Sequence, residues 1–257
     1  MSVAFHVTGQ LEALEAELSA LWDLGCEGMW QSGAEVVAYF PSERPLPLAG
    51  RWAAAEGDYL ERYYAELKPV YLDTMVIAPT HSDLTLKAGQ KPLWLDPGMA
   101  FGTGHHETTR LALRALETLQ LQGRELTDIG AGSGILAVAA DLLGAASARG
   151  VDIDPTTLAV AEANCRLNRA RAEFALGTVQ DLAAGSADVL VANLFAELHQ
   201  RLAPEYHRAL RPGGRLLITG IMNEKLDAVL SAVRELFSEV SSVQEGEWSL
   251  VRAERSR

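Results

Sequence analysis

A run of alternating glycines constrains the fold of this chain more than any other feature. Residues 125–136 have the sequence ELTDIGAGSGIL, in which a strand-like segment leads into Gly130, Gly132 and Gly134 and a helix-like segment follows. Glycines at such a junction permit positive φ angles and leave backbone N–H groups accessible to a ligand. A tight turn without any ligand is the alternative. The segment therefore predicts a β-strand, a ligand-binding turn and an α-helix.

Strand-like and helix-like segments alternate through the rest of the chain. Strands are predicted near residues 70–77, 84–87, 92–95, 125–129, 148–152, 172–176, 189–193 and 215–220, and helices near 105–119, 134–143, 155–168, 196–210 and 223–236. A closing hairpin is predicted around residues 238–252. Such alternation builds a mostly parallel sheet with helices on both faces. The predicted fold class is α/β, a Rossmann-like sheet with a closing antiparallel hairpin.

The beginning of the chain predicts a separate small domain. Residues 1–55 contain a strand, a helix with leucines at helical spacing and a hairpin, in that order. This β-α-β-β start is typical of a ferredoxin-like α+β domain. A further helical stretch at residues 56–67 is predicted to link it to the larger domain at residues 68–257.

The charge balance and the cysteine content narrow the possible functions. The chain has 22 Lys and Arg against 34 Asp and Glu, a net charge of −12, which repels nucleic-acid phosphates and anionic membranes. A basic protein partner is more compatible, although an acidic surface also serves solubility alone. Cys26 and Cys165 form no CxxC motif, and no segment is typical of a signal peptide or a membrane span. We expect a cytoplasmic monomer that binds neither nucleic acid nor membranes directly.

Two acids follow the predicted strand at residues 148–152. Asp152 lies 22 residues after Gly130, where Rossmann-like folds commonly place an acid that binds ribose hydroxyls. A metal-binding pair with Asp154 is the rival interpretation. Pro155 at the first position of the next helix favours Asp154 as the helix cap. We therefore predict that Asp152 binds a ribose and that Asp154 caps the helix.

A second glycine-rich loop lies upstream, at residues 96–109 (DPGMAFGTGHHETT). It lacks the lysine of a nucleotide P-loop, and the adjacent His105 and His106 have a poor spacing for metal ligands, so we predict no metal site. The N-terminus of the following helix can bind a carboxylate, to which Thr108 or Thr109 adds a hydroxyl donor. A helix cap without a ligand is the alternative.

The glycine turn and the acid after the next strand resemble those of Rossmann-like S-adenosylmethionine-dependent methyltransferases, over roughly residues 96–220. The resemblance implies S-adenosylmethionine as cofactor and S-adenosylhomocysteine as product. It also implies that the methionine tail lies over the glycine turn and above Asp128. Members of this family often bind the adenine amine with an acid after the third strand, which implies Asp181. A solvated loop carboxylate is the alternative for that residue.

Residues 96–109 resemble more specifically the ribosomal-protein methyltransferases of the PrmA type, whose pattern DPGxAFGTGxHxTT they match at every fixed position. This implies methylation of lysine side chains and the N-terminal α-amino group of protein eleven of the large ribosomal subunit, free or ribosome-bound. It implies that residues 1–55 recognise this basic substrate. The implied cofactor contacts are Thr109, Gly130, Asp152 and Asn193.

The strand at residues 189–193 ends with Asn193, where amino-group methyltransferases often carry an Asn-Pro-Pro-aromatic motif. Both prolines are missing here, and an Asn at a strand end is also a common turn former. We predict that the Asn193 side-chain oxygen orients a neutral amine, with Phe101 and Phe195 as walls around the methyl group. Catalysis would then need no dedicated base. His105 and His106 remain alternative bases.

Three other functions remain open at this point. A methyltransferase acting on amino groups of nucleic-acid bases would use the same fold and cofactor, but the net charge disfavours it. A nicotinamide-dependent oxidoreductase would use a similar sheet, but the GxGxG spacing and the loop at residues 96–109 disfavour it. A cofactor-binding module without catalysis can be excluded only by an assay.

Overall fold

The computed structural model describes residues 3–9, 18, 21, 24–26, 28–32, 34–54, 68–80, 82–95, 104 and 106–257. The chain divides into two compact units, Met1–Glu66 and Leu67–Arg257. The predicted linker helix at residues 56–67 and the loop residues 96–103 and 105 lie outside the described residues.

The first unit contains an antiparallel sheet. Its described strands are β1 (Val3–Thr8), β2 (Gly28–Ser32), β3 (Glu35–Phe40) and β4 (Arg51–Ala54), in the order β2-β3-β1-β4. The predicted hairpin is formed by β2 and β3. Phe5, Val36 and Phe40 are buried on one face, where Trp52 packs against Phe5 at a ring distance of 4.9 Å. This strand order is the one expected of a split β-α-β arrangement.

A small sheet begins the second unit. It consists of β5 (Val70–Tyr71), β6 (Met75–Ala78) and β7 (Lys91–Trp94), with β5 antiparallel and β7 parallel to β6. The prediction of a strand at residues 84–87 was wrong. Leu86 is exposed and Leu84 only half-buried, so the alternating apolar residues of this segment are not buried against a sheet, and Lys87 instead forms a turn with Gln90.

The large sheet occupies the rest of the unit. Its helices are α1 (Glu107–Glu117), α2 (Ile135–Leu142), α3 (Pro155–Leu167), α4 (Ala196–Ala209) and α5 (Leu226–Arg234). Its strands are β8 (Glu125–Ile129), β9 (Ser147–Asp152), β10 (Glu173–Leu176), β11 (Ala187–Asn193), β12 (Leu210–Met222), β13 (Ser238–Glu245) and β14 (Trp248–Glu254). Short 3₁₀ helices lie at Val179–Asp181 and Asn223–Lys225.

Within residues 106–257 the sheet order is β10-β9-β8-β11-β12-β14-β13. The five strands from β10 to β12 are parallel, and β14 and β13 form the predicted antiparallel hairpin at one edge. The predicted α/β class is thus confirmed. Its central strands are buried on both faces, as parallel sheets require, with Leu190 and Val191 completely inaccessible.

The strand order reverses between β8 and β11. From β8 the chain proceeds through β9 and β10 on one side, and it then returns to β11 and β12 on the other. The connections leaving β8 and β11 therefore diverge, which opens a crevice at the carboxyl ends of the strands. The glycine turn, Asp152 and Asn193 all lie at this edge.

Among the described helices, none is long and apolar enough to cross a membrane.

A single carboxylate connects the end of α1 to the small sheet. Glu117 Oε1 accepts hydrogen bonds from the N–H groups of Thr74 (2.7 Å) and Met75 (2.9 Å) and from the Thr74 hydroxyl (2.8 Å). Its other oxygen accepts the Asp73 N–H at 3.2 Å. Glu117 therefore holds the turn between β5 and β6 against the helix that borders the crevice.

We expect Glu117→Ala to lower the free energy of unfolding by about 2 kcal/mol, because hydrogen bonds to charged groups contribute about 1.5–3 kcal/mol each and some are replaced by water. Urea unfolding at neutral pH measures this change. Glu162→Ala is the matched control, since Arg166, at 3.5 Å, is the hydrogen-bond partner of that exposed carboxylate among the described residues. Equal losses in the two variants would contradict the role of Glu117.

Candidate active site

The three glycines after β8 all have positive φ angles: 74° at Gly130, 50° at Gly132 and 78° at Gly134. A Cβ at Gly134 would lie 2.7 Å from the ring of Phe174, and one at Gly130 would lie 2.6 Å from the Leu194 side chain. Backbone conformation and close protein packing therefore require glycine at these two positions. The positive φ angles expected of this turn are thus confirmed, and its contact with a ligand stays a prediction.

Asp152, at the end of β9, holds the glycine turn in place. One carboxylate oxygen accepts the Gly132 N–H at 2.8 Å, and the other accepts the Asp154 N–H at 3.0 Å. Each oxygen retains a further lone pair, and the side chain is only half-buried, so both can still accept hydroxyl groups. Ribose binding by Asp152 stays a prediction, with a geometry that permits it.

Asp154 caps α3, as predicted. Its Oδ1 accepts the Thr156 N–H at 2.8 Å and the Thr156 hydroxyl at 2.7 Å, and Pro155 occupies the first helical position. These hydrogen bonds lower the pKa of Asp154 below its usual value. The side chain is therefore used locally, which accounts for this acid without a metal.

Asp128 is a buried carboxyl group in β8, just before the glycine turn. It is 1% exposed, and neither oxygen has a hydrogen-bond partner with good geometry among the described residues. Burial, and secondarily the charge of Asp152, raise its pKa to about 8, while the Ala137 N–H acts in the opposite direction. An unpaired buried carboxyl is costly, and a cationic or hydrogen-donating ligand group would relieve that cost.

Thr109, in the first turn of α1, supplies a second buried polar atom without a partner. Its hydroxyl is inaccessible to solvent and lacks a hydrogen bond among the described residues.

The surroundings of Asp128, Thr109 and Asp152 fit S-adenosylmethionine. Its ammonium group suits the carboxyl of Asp128, its carboxylate suits a helix N-terminus with a hydroxyl donor, and its ribose suits the carboxylate of Asp152.

Asn193, at the end of β11, is connected to the start of α1. Its side-chain nitrogen donates to the Thr108 hydroxyl oxygen at 3.1 Å. The same hydroxyl lies 2.7 Å from Nδ1 of His106, the N-cap residue of α1. The Thr108 hydroxyl is thus engaged within the protein, and its predicted contact with a cofactor stays a prediction.

Phe195 and Phe101 are the residues predicted to form walls around the methyl group. Phe195 immediately precedes α4 and is 72% exposed, so its ring is available at the edge of the crevice. Phe101 lies outside the described residues.

Asp181 Oδ2 accepts hydrogen bonds from the N–H (2.8 Å) and the hydroxyl (3.0 Å) of Thr178, and these hydrogen bonds lower the pKa of Asp181. Asp181 thus has a local capping role, and its contact with adenine stays a prediction.

His199 was not anticipated from the sequence, yet it supports the turn after Asn193. It is completely buried, with Nε2 2.8 Å from the Thr219 carbonyl and Nδ1 3.2 Å from the Tyr206 hydroxyl. Burial lowers its pKa to about 4, so the imidazole is neutral and donates to Thr219. Thr219 pairs with Asn193 across β11 and β12. A histidine at an ordinary helical position carries no signal of this role.

Gly220 is a second residue that the sequence analysis missed. Its φ is 85°, and a Cβ there would lie 2.3 Å from the Leu194 carbonyl oxygen and 3.0 Å from Asn193 Oδ1. The end of β12 therefore approaches the Asn193 turn as closely as a glycine permits. A glycine at the end of an apolar strand is the signal that could have identified it.

Comparisons with known proteins agree with this geometry. A family model described as ribosomal protein L11 methyltransferase (PrmA) matches residues 8–256. The chain is 45% identical over 251 residues to the ribosomal protein L11 methyltransferase of Thermus thermophilus, covering 96% of this chain and 97% of that protein. The Deinococcus radiodurans protein of the same name is 42% identical over 270 positions, with coverages of 98% and 99%.

A solved structure is also similar. The crystal structure of ribosomal protein L11 methylase from Lactobacillus delbrueckii subsp. bulgaricus matches with a TM-score of 0.64 and 31% identity, over 72% of this chain and 95% of that one. A methyltransferase from Pyrococcus furiosus shares the fold, with a TM-score of 0.50 and 18% identity over 55% and 80% of the two chains.

The buried carboxyl of Asp128 makes the stability of the unliganded protein depend on pH. The folded protein keeps this proton up to about pH 8, whereas the unfolded chain releases it near pH 3.8. Between these two pH values the folded state binds more protons than the unfolded chain, so the contribution of Asp128 to the free energy of unfolding falls by about 1.4 kcal/mol per pH unit as the pH rises.

The Asp128→Asn side chain cannot ionise, so we expect the free energy of unfolding of this variant, relative to the wild type, to increase steadily between pH 5 and about 8. Urea unfolding across this range measures the difference, and a difference independent of pH would contradict a protonated Asp128.

Proposed function

The chain belongs to the ribosomal protein L11 methyltransferase (PrmA) family, and we propose on this basis that it transfers methyl groups from S-adenosylmethionine to amino groups of ribosomal protein L11. The family match over residues 8–256 is the observation that carries the proposal. The buried carboxyl of Asp128, which lacks a hydrogen-bond partner among the described residues, and the glycine turn support it from the geometry of the site. Base methylation and nicotinamide-dependent oxidation are not favoured by this family.

Bound S-adenosylmethionine supplies an electrophilic methyl group on a positively charged sulfur. The Asp128 carboxyl would give up its proton and pair with the ammonium group. The N-terminus of α1 and the Thr109 hydroxyl would hold the carboxylate, and Asp152 would accept the ribose hydroxyls. Asp181 is the proposed partner of the adenine amine. Asp128 lies in β8, Asp152 at the end of β9, Thr109 in the first turn of α1 and Asp181 in the 3₁₀ helix after β10.

The chemistry requires an amine with a free lone pair. Deprotonating a lysine of pKa about 10.4 at pH 7 costs about 5 kcal/mol, whereas an α-amino group near 7.8 costs about 1 kcal/mol. A crevice poor in water lowers the pKa of the amine, as does a nearby positive charge. The Asn193 side-chain oxygen would accept a proton of the neutral amine and thereby direct its lone pair. Phe195, and Phe101 by our proposal, would exclude water.

The first compact unit is the proposed substrate-binding part of the enzyme. We assign substrate recognition to residues 1–55 and the connection to residues 56–67, with catalysis in residues 68–257. The separate antiparallel sheet of β1 to β4 supports this division. A net charge of −12 favours a basic ribosomal protein, free or on the ribosome. We propose that the enzyme acts as a monomer in the cytoplasm.

The proposal predicts that purified ribosomal protein L11 gains mass in steps of one methylene when it is incubated with the enzyme and S-adenosylmethionine. Intact-mass spectrometry measures these steps, and peptide mapping locates them on lysines or on the α-amino group. Enzyme incubated with S-adenosylhomocysteine alone is the control. Methyl incorporation into ribosomal RNA, with none into L11, would contradict the proposal and favour base methylation.

The orienting role of Asn193 predicts a separation of turnover from cofactor binding. We expect Asn193→Ala to lower kcat about 100-fold, because a misplaced reacting group costs on that order. The Kd for S-adenosylhomocysteine, measured by calorimetry, should change less than about threefold, which is under about 1 kcal/mol. Small and equal losses in both quantities would refute the orienting role.

A further inference from the structure

The direction of the hydrogen bonds between α1 and Asn193 is fixed by one backbone group. The Thr108 N–H can only donate, and it donates to Nδ1 of His106 at 3.3 Å. This Nδ1 must therefore carry a lone pair and no proton. The Thr108 hydroxyl lies 2.7 Å from the same nitrogen, so it also donates to Nδ1. The proton of this hydroxyl is thereby directed towards the imidazole.

The orientation of the Asn193 amide follows from this. With its proton on the imidazole side, the Thr108 oxygen offers only lone pairs to other groups. Asn193 Nδ2, 3.1 Å away, is therefore the correct end of the amide to face it. The reverse orientation would place two acceptor oxygens against each other. The amide oxygen consequently remains on the other side, next to Gly220.

We propose that His106 is a positioning residue for methyl transfer. Its unprotonated Nδ1 fixes the Thr108 hydroxyl and, through it, holds the Asn193 amide with the oxygen available to the substrate amine. The inference rests on the proposed methylation of amino groups. It assigns to His106 a role different from that of a base, because its Nδ1 is used within the protein.

The surroundings of the imidazole keep it neutral. Its ring packs edge-to-face on Trp248 of β14, at a ring distance of 5.0 Å. Burial lowers the pKa of His106 below its usual 6.5, with Glu107 raising it and Arg110 lowering it. Arg110 also pairs with Glu107 (3.2 Å) and with Glu245 of β13 (2.9 Å). The charged groups near the imidazole thus include Glu107 and Arg110 on α1 and, through Arg110, Glu245 on the β13–β14 hairpin. Protonation of Nδ1 in acid would break the hydrogen bond from the Thr108 N–H and would reverse the one with the Thr108 hydroxyl.

Two variants of His106 separate positioning from base catalysis. Asparagine is a preferred N-cap residue whose side-chain oxygen can accept both Thr108 hydrogen bonds, whereas alanine accepts neither. We expect His106→Ala to lower kcat on L11 about tenfold, the equivalent of one hydrogen bond, with little change in KM for S-adenosylmethionine. His106→Asn should restore most of the turnover. An asparagine variant as slow as the alanine variant, or an alanine variant of full activity, would overturn the proposal.

The pH profile gives a second readout. Protonation of the substrate amine affects the wild type and His106→Asn alike, so the ratio of their kcat values isolates His106. We expect the ratio of variant to wild type to rise as the pH falls below the pKa of His106, which lies under 6.5. Nitrogen-15 NMR locates the pKa of His106, and a ratio that stays constant through and below that measured pKa would overturn the proposal.

The tautomer can be measured without any reaction. Nitrogen-15 NMR of the unliganded protein at neutral pH should show a neutral His106 with the proton on Nε2, and a proton on Nδ1 would overturn the inference. If the wild type fails to methylate L11, the proposed function fails, and the tautomer still decides whether the hydrogen bonds run in the stated direction.

A double-mutant cycle completes the test. His106→Ala should cost little further turnover in a Thr108→Val background, and additive losses would contradict the coupling.

Discussion

The pairing of β8 with β11 is the constraint on which the site depends. These strands follow each other in the sheet but not in the chain, so their carboxyl ends lie side by side while their connections turn in opposite directions. The glycine turn after β8 thereby meets the turn after β11, where the side chain of Leu194 fills the space next to Gly130. A shift of this register by two residues would separate Asp128 from Asn193, the residues that we propose bind the cofactor and the substrate amine.

The electrostatics of the crevice favour a positively charged ligand. Asp128 is held without hydrogen-bond partners among the described residues and close enough to Asp152 for the second charge to raise its pKa. When the crevice holds no cation, Asp128 stays protonated, which reduces the free energy needed to bury this carboxyl group. A ligand with a positive charge recovers that free energy on binding, so the same carboxyl that destabilises the unliganded protein also contributes to affinity.

The sequence predicted much of this site because its signals are local. A glycine turn, an acid at the end of the next strand and a helix cap such as Asp154 each depend on neighbours in the chain, and all lie where they were expected. The strand at residues 84–87 failed because alternation alone does not supply a surface to pack against. The supporting roles of His199 and Gly220 depend on contacts between β12, α4 and the turn after β11, which no local pattern records.

The histidines bordering Asn193 argue for catalysis by orientation. His199 uses both ring nitrogens within the protein and has a pKa of about 4, so it is uncharged at neutral pH. His106 uses its Nδ1 to cap α1 and to bind Thr108. Both imidazoles hold the backbone and the amide around the reacting position in one arrangement. We therefore propose that the substrate arrives as a neutral amine and that the crevice assists by excluding water and by offering the Asn193 oxygen in a fixed direction.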